Sequence, residues 1–154
     1  VILIKDNILS KEECIKLIYY HNTNKYLAKP HNTIFPIDLT NINDAFIDSI
    51  KSKILNEATK LKQVSIEWIE ITKVPDKVGM DYHYDNQSDS TILTSVTYLN
   101  NNFRGGRTCF EDGTKISPVI GRTIFFDGQK YKHGIEPVLA NNRYTIPCWY
   151  KNNV

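Results

Sequence analysis

From residue 66 onward the sequence breaks into short runs of β-branched and aromatic residues, each ended by a turn signal. The runs fall at 66–72, 80–85, 92–99, 106–111, 114–117, 123–126, 132–138 and 143–150. Between them stand the polar segments 75–79, 86–90 and 100–104 and the pairs Asp112-Gly113 and Asp127-Gly128. Asp and Gly supply the backbone angles and local hydrogen bonds that tight turns need, and Asp112-Gly113 predicts a hairpin. Many short strands with regular turns must fold over one another to bury an apolar face. The pattern predicts two sheets face to face, a double-sheet jelly roll.

The first 65 residues read differently. Residues 1–4 are a short apolar strand. Ser10-Lys11-Glu12-Glu13 has the form of a capping box. It opens a helix over 11–21 that places Cys14, Ile15, Ile18 and Tyr19 on one face. Residues 21–31, rich in Asn and Lys and stopped by Pro30, read as loop, and 33–37 as a strand weakened by Pro36. Asn43 is the expected N-cap of a second helix over 44–61, where Phe46, Ile47, Ile50, Ile54, Ala58 and Leu61 recur at helical spacing. Such a stripe faces a core more often than a partner. The expected fold is mainly β with flanking helices (α+β). Residues 1–65 form a helical support packed on one sheet, and 66–154 form the jelly-roll core of a single domain.

A length of 154 residues suits one domain with one real core. A formal net charge of +2, with scattered lysines, argues against a nucleic-acid partner. No apolar run approaches membrane-spanning length and the start lacks a signal-peptide pattern, so no membrane partner is expected. Cys14, Cys109 and Cys148 are odd in number and far apart, neither a disulfide framework nor a zinc spacing. The expected setting is reducing and cytoplasmic. Frequent Lys, Asn and Ile reflect AT-rich coding, and for a viral source the setting becomes the host cytoplasm. The chain begins at Val1 rather than Met, which leaves an upstream segment open, as the oligomeric state is open.

The chemistry concentrates at Tyr82-His83-Tyr84-Asp85-Asn86 and at two later residues, His133 and Arg143. On a strand, His83 and Asp85 point to the same face. A second imidazole from His133 completes a 2-His-1-carboxylate set, which leaves coordination positions open and suits non-haem Fe(II). Taken singly, each of these residues is more often a surface or hydrogen-bonded side chain. A catalytic zinc site is the competing metal reading. Alternation puts Arg143, Thr145, Pro147 and Trp149 on one face. A guanidinium facing an interior needs an anion and fits a carboxylate bidentately. Thr145 could add a hydroxyl to that anion site, and Trp149 could wall the pocket or serve as plain core. Tyr98 shares a strand face with Thr94 and Val96.

The ordered series is more specific than any member. His83-Tyr84-Asp85-Asn86, Val96-Thr97-Tyr98-Leu99-Asn100, Gly105-Gly106, the run from Gly121 to Phe126, His133-Gly134-Ile135-Glu136-Pro137-Val138, Arg143-Tyr144-Thr145 and Trp149-Tyr150 follow one another in one stretch. Residues 83–150 thereby resemble the catalytic core of the 2-oxoglutarate- and Fe(II)-dependent oxygenases, in their prolyl-4-hydroxylase-like branch. The resemblance implies a double-stranded β-helix, iron held by the catalytic residues His83, Asp85 and His133, and O2 as oxidant. It implies 2-oxoglutarate as co-substrate, anchored by Arg143 with Tyr98, Thr145 and Trp149, and ascorbate as a candidate reductant. It implies hydroxylation of a prolyl residue in a protein or peptide. Tyr82, Tyr84, Asn86 and Arg104, with Arg107 and Arg122, are candidates to line the substrate entrance. Segments 73–79 and 86–91 are candidates to close over a peptide. One position departs from the pattern. Val74 stands where related prolyl hydroxylases commonly carry a Tyr, and Tyr82 replaces that Tyr only if the loop is rearranged.

Three other readings compete. The same chemistry can act on a small molecule, another side chain or a nucleobase. A catalytically silent jelly-roll binding module would have lost a ligand. An interaction protein would expose the apolar face of the second helix.

Overall fold

The computed structural model describes residues 1–85 and 88–154. Twelve strands and two α-helices are present among the described residues. In chain order they are β1 (Leu3–Lys5), α1 (Lys11–Thr23), β2 (Phe35–Asp38), α2 (Ala45–Thr59), β3 (Val64–Val74), β4 (Met80–His83), β5 (Thr91–Tyr98), β6 (Arg104–Gly105), β7 (Thr108–Phe110), β8 (Lys115–Ile116), β9 (Thr123–Phe126), β10 (His133–Ile135), β11 (Val138–Leu139) and β12 (Arg143–Asn152). A 3-10 turn covers Lys25–Leu27.

Six strands form one antiparallel sheet in the order β1-β9-β5-β12-β3-β2. Four form a smaller sheet, β4-β10-β7-β8, and β11 pairs with β6. Tyr98, Ile124 and Phe126 of the large sheet share a buried cluster with Phe110 and Ile116 of the small one. The two sheets therefore face each other, as the strand count and turn spacing predict, in a jelly-roll-like, mainly β architecture.

The outer face of the large sheet carries the helices. Ile47, Ile50, Ile54 and Ala58 of α2 share one buried cluster with Ile69, Ile71, Ile146 and Cys148 of the sheet. Each of these isoleucines contributes roughly 1.5–3 kcal/mol through burial. The face that an interaction protein would expose is thus core. The N-cap of α2 is Asp44 rather than Asn43, its side chain accepting from Ile47 N at 3.0 Å. Both types cap well, and Asp44 is the one in register with the buried isoleucines.

The capping box of α1 forms as expected, Ser10 Oγ accepting from Glu13 N and Glu13 Oε1 from Ser10 N. Its buried face differs from the expected one. Cys14, Leu17 and His21 are buried, whereas Ile15 and Tyr19 are exposed. The helix is weakly amphipathic, so two neighbouring stripes compete, and the sheet selects the 14–17–21 stripe.

Two further expectations change. The run 132–138 is two strands, not one, with β10 in the small sheet and β11 paired to β6. The chain leaves one sheet at Glu136-Pro137, where Pro lacks the N–H that a ladder requires. The N-terminal third also gives more than helical support, since β1 and β2 complete both edges of the large sheet. Pro36 is tolerated in β2 because β2 is an edge strand.

Candidate metal and co-substrate site

His83 ends β4 and His133 begins β10, and the two are paired across the ladder. Asp85 follows two residues after His83. Gly134 permits the close pairing, since a Cβ there would lie 2.6 Å from the Met80 carbonyl oxygen. The imidazole centroids are 4.5 Å apart. One ligand atom from each of His83, Asp85 and His133 lies within 4.8 Å of the others. His133 is packed edge-on against Phe126, 4.7 Å between centroids, which fixes its ring.

The proton positions follow from the partners. Nδ1 of His83 is 2.8 Å from the Asp81 carbonyl oxygen, and Nδ1 of His133 is 2.8 Å from that of Tyr131. A carbonyl can only accept, so each Nδ1 carries a hydrogen and each Nε2 is the candidate ligand atom. Nε2 of His133 stands 3.3 Å from Asp85 Oδ1. A lone pair and a carboxylate at that distance repel, and a metal ion or a proton on Nε2 relieves the repulsion. Donors about 2.1 Å from a metal and at right angles are about 3 Å apart, so the residues present fit a metal ion.

Asp85 is the pivot. Its Oδ2 accepts from Thr94 Oγ1 at 2.7 Å and its N–H donates to the Gly128 carbonyl at 2.9 Å. A Cβ on Gly128 would sit 1.7 Å from Oδ2, so no other residue fits there. Burial pushes the Asp85 carboxyl up, but His133, Thr94 and the Trp149 indole together outweigh it and hold the pKa below the usual value. The Trp149 N–H faces Asp85 without reaching hydrogen-bond geometry and is otherwise a buried donor without a partner.

A second polar cluster lies on the large sheet, whose Thr94 supports Asp85. Thr145 is opposite both Tyr98 and Thr72, and Arg143 is opposite Val74. Arg143 is 2% exposed. Its Nε donates to the Gly106 carbonyl at 2.9 Å and its Nη2 to Thr108 Oγ1 at 3.1 Å. The guanidinium lies 5.4 Å from the Tyr98 ring, and Tyr98 OH bonds to Thr108. Among the described residues no carboxylate pairs with Arg143. A buried cation with neutral partners alone is costly and calls for an anion. Trp149, one of the expected pocket residues, lies between this cluster and Asp85 on the same strand.

Val74 is fully buried beside Ile34 and Val138, an apolar wall opposite Arg143. Tyr82 does not replace a tyrosine there. Tyr82 and Tyr84 flank His83, leave the strand on the other side and are exposed. Neither joins the ligand face, and Tyr84 lies instead 5.8 Å under Lys132 Nζ. Arg104 is exposed on β6, at the Gly106 end rather than the metal end. Arg107 pairs with Glu136 and Arg122 with Asp6, which makes both structural. Asn86 lies outside the described residues.

The segments expected to close are tied down where they are described. Lys77 N donates to the Val138 carbonyl at 2.6 Å and Asp76 Oδ1 accepts from Ala140 N at 2.9 Å. Glu67 accepts from Ser88, Ser90 and Thr91 at 2.5, 2.6 and 2.5 Å. The supports Thr94, Thr108 and Gly128 were not singled out by motif. Thr94 shares the Tyr98 face and is recoverable from alternation, whereas nothing local in the sequence marks Thr108. A groove of about 740 Å³ lies elsewhere, between α1 and residues 99–102 and 141–142. It holds none of the ligand residues.

Comparison with known proteins bears on both fold and family. No curated protein matches the chain. Among solved structures, a viral collagen prolyl hydroxylase from Paramecium Bursaria Chlorella virus-1, in complex with 2OG, superposes with a TM-score of 0.77 at 19% identity, over 99% of this chain and 96% of that one. A Pseudomonas putida prolyl-4-hydroxylase gives 0.81 at 16% identity, over 99% and 93%. A Trichoplax adhaerens prolyl hydroxylase, in complex with a hypoxia inducible factor oxygen degradation domain peptide fragment, gives 0.82 at 18% identity, over 98% and 83%. These likenesses establish the fold. The sequence profile of the 2OG-Fe(II) oxygenase superfamily matches residues 69–151, more than half of the chain and the stretch that holds both polar clusters, and the chain belongs to that superfamily.

Proposed function

We propose that the chain is an Fe(II)- and 2-oxoglutarate-dependent dioxygenase, with a double-stranded β-helix core, that hydroxylates a prolyl residue of a protein or peptide. One observation carries the chemistry. A 2-His-1-carboxylate set on the small sheet meets the large sheet at Thr94, and a buried arginine without an acidic partner among the described residues stands on that large sheet. A zinc hydrolase has no need of the second cluster. The prolyl substrate is supported by the three structural relatives, all prolyl hydroxylases, one of them bound to a peptide.

His83, Asp85 and His133 would hold the metal through two Nε2 atoms and a carboxylate oxygen. Bound iron supplies the activation of O2, coupling decarboxylation of 2-oxoglutarate to succinate and CO2 with insertion of one oxygen atom into a substrate C–H bond. The protein holds and orients the reactants. Thr94 and Gly128 keep Asp85 on the ligand face. Arg143 would clamp the distal carboxylate of 2-oxoglutarate, with Tyr98 and Thr145 as hydroxyl donors. Val74 and Val138 keep water from the clamp. The supporting chain of carbonyls at Asp81 and Tyr131 fixes both imidazole tautomers. Three free, buried cysteines support a reducing, cytoplasmic setting, with ascorbate as the reductant.

The test is an anaerobic titration of metal-free protein with Fe(II) and then 2-oxoglutarate, followed by the visible charge-transfer band of the chelate. The band forms in the wild type, is absent in His133→Ala, and needs far more 2-oxoglutarate in Arg143→Ala. Folded, iron-loaded protein without a band sinks the reading.

A further inference from the structure

The inner face of β3 carries Trp68, Glu70, Thr72 and Val74, whose exposures are 36%, 9%, 5% and 0%. The row thus opens to solvent toward Trp68. Trp68 pairs across the ladder with Trp149, and Trp149 with Thr94, which bonds the ligand Asp85. Two strand spacings, about 10 Å, therefore separate the backbone at Trp68 from that at Thr94. β2 covers the edge of β3 only between Glu70 and Lys73. At Trp68 the large sheet has no further strand among the described residues, which leaves the indole part-exposed at the metal end of the row.

The indole is also held. Trp68 Nε1 donates to Glu70 Oε1 at 2.9 Å, and Thr72 Oγ1 bonds Glu70 Oε2 at 2.6 Å. No lysine or arginine is paired with Glu70 among the described residues, and the nearest like charge is Asp38. A buried carboxyl group without a cation, bonded to a half-open tryptophan, is an unusual expense unless the orientation of that ring matters. Thr72 in turn faces Thr145 across the ladder, which joins the row to the arginine end.

We propose that Trp68 is the platform on which the substrate segment packs beside the metal, and that Glu70 is its positioning residue. The inference rests on the peptidyl-prolyl reading above. The occupant it fits is an extended, proline-containing segment. A prolyl ring is flat, apolar and already restricted, and proline-rich segments dock on aromatic surfaces because little entropy is lost on binding. The rim at Trp68 offers a large aromatic surface with a buried hydrogen-bonding anchor and no paired cation among the described residues.

The probe is an (Ala-Pro)5 peptide added to protein loaded with Zn(II) and 2-oxoglutarate, a diamagnetic stand-in for iron. Proline ring protons are read by NMR for the upfield shift that an indole face produces, and affinity is taken from the titration. In parallel, each protein is loaded with Fe(II) and 2-oxoglutarate and its chelate band recorded. The wild type shifts the ring protons. Trp68→Ala loses the shift and weakens the peptide at least about tenfold, as truncation of a tryptophan anchor does, with the chelate band retained. Trp68→Phe and Glu70→Gln restore most of the affinity, whereas Glu70→Leu does not. Equal peptide affinity in Trp68→Ala and wild type overturns the platform. So does loss of the chelate band in Trp68→Ala, which marks a damaged site. A wild type that forms the band but ignores the peptide overturns the inference and leaves the oxygenase chemistry standing. A wild type without the band overturns the underlying reading instead.

Discussion

The metal end and the arginine end of the site meet opposite electrostatic problems. At the metal end a carboxylate and two imidazoles converge, and each is oriented by a hydrogen bond to a neighbour. Thr94 donates to Asp85, and the Asp81 and Tyr131 carbonyls hold the rings. At the arginine end a guanidinium is buried with a carbonyl and a threonine hydroxyl as partners. The first end carries an anion that burial alone disfavours, yet the surrounding donors keep its pKa low. The second carries a cation that burial disfavours and that no acidic side chain among the described residues offsets. The difference teaches that the chain itself provides donors for the buried anion, whereas for the buried cation it provides no counter-charge among the described residues, a gap that the ligand fills on the proposed reading.

The largest effect should come from removing that unpaired cation. Arg143→Met is expected to stabilise the protein without 2-oxoglutarate, by about 1–4 kcal/mol, as replacement of buried charges by apolar groups of similar volume often does. Thermal denaturation with and without 2-oxoglutarate reads it. The wild type gains stability on adding the co-substrate with a metal present, and the variant does not. A variant less stable than the wild type in both conditions breaks the comparison. The bonds to Gly106 and Thr108 would then outweigh the burial cost.

A paired experiment sharpens it. Thr94→Val removes a donor to Asp85 only, and Thr108→Val removes a partner of Arg143 and Tyr98 only. Thr94→Val should weaken metal binding about tenfold, the usual loss when a ligand's supporting bond is removed. Its 2-oxoglutarate affinity at saturating metal should stay near that of the wild type. Thr108→Val should do the reverse, with a loss of about tenfold for one hydrogen bond to a charged group. Calorimetric titration of each ligand separates the two. Crossed effects would mean that the ends are coupled through the sheet.

The same contrast explains what the sequence revealed. His83 and Asp85 are two residues apart, so the alternation of a strand points to one face, although β4 ends at His83 and Asp85 is held there by Thr94 and Gly128. Arg143 and Thr145 are legible for the same reason. The supports at the arginine end come from four separate places, Tyr98, Gly106, Thr108 and Val74, and only the folded sheet brings them together. Tyr82 and Tyr84 flank the ligand His83 in sequence but do not share its face, and both are exposed beside it. In α1 the choice between Ile15 and Leu17 was set by the sheet beneath, and a weakly amphipathic helix does not record that choice. Asp112-Gly113 and the boundaries of β9 were read correctly because turn chemistry is local.

Glu70 lies between the two ends and gives the smallest and most diagnostic effect. Burial pushes its carboxyl up and Asp38 adds to this, while Thr72, Trp68 and His31 oppose it, and the net pKa lies above the ordinary 4.5. Below pH 4.5 the group is protonated in both folded and unfolded chains, so its contribution to stability is fully present. Above that pH the unfolded chain ionises first, and stability falls until the folded-state pKa is passed. Glu70→Gln keeps an acceptor for Trp68 and a partner for Thr72 but cannot ionise. Denaturant titrations at pH 4 and pH 8 should therefore give nearly equal stabilities for the two proteins at pH 4 and an advantage for Glu70→Gln at pH 8. That advantage should be a fraction of the Arg143→Met effect, because two hydrogen bonds already offset part of the burial. An advantage for the wild type at pH 8 would mean that Glu70 is ionised and paired in the folded state. It would then behave like Asp85 at the metal end, and the chain would provide donors for a second buried anion along β3.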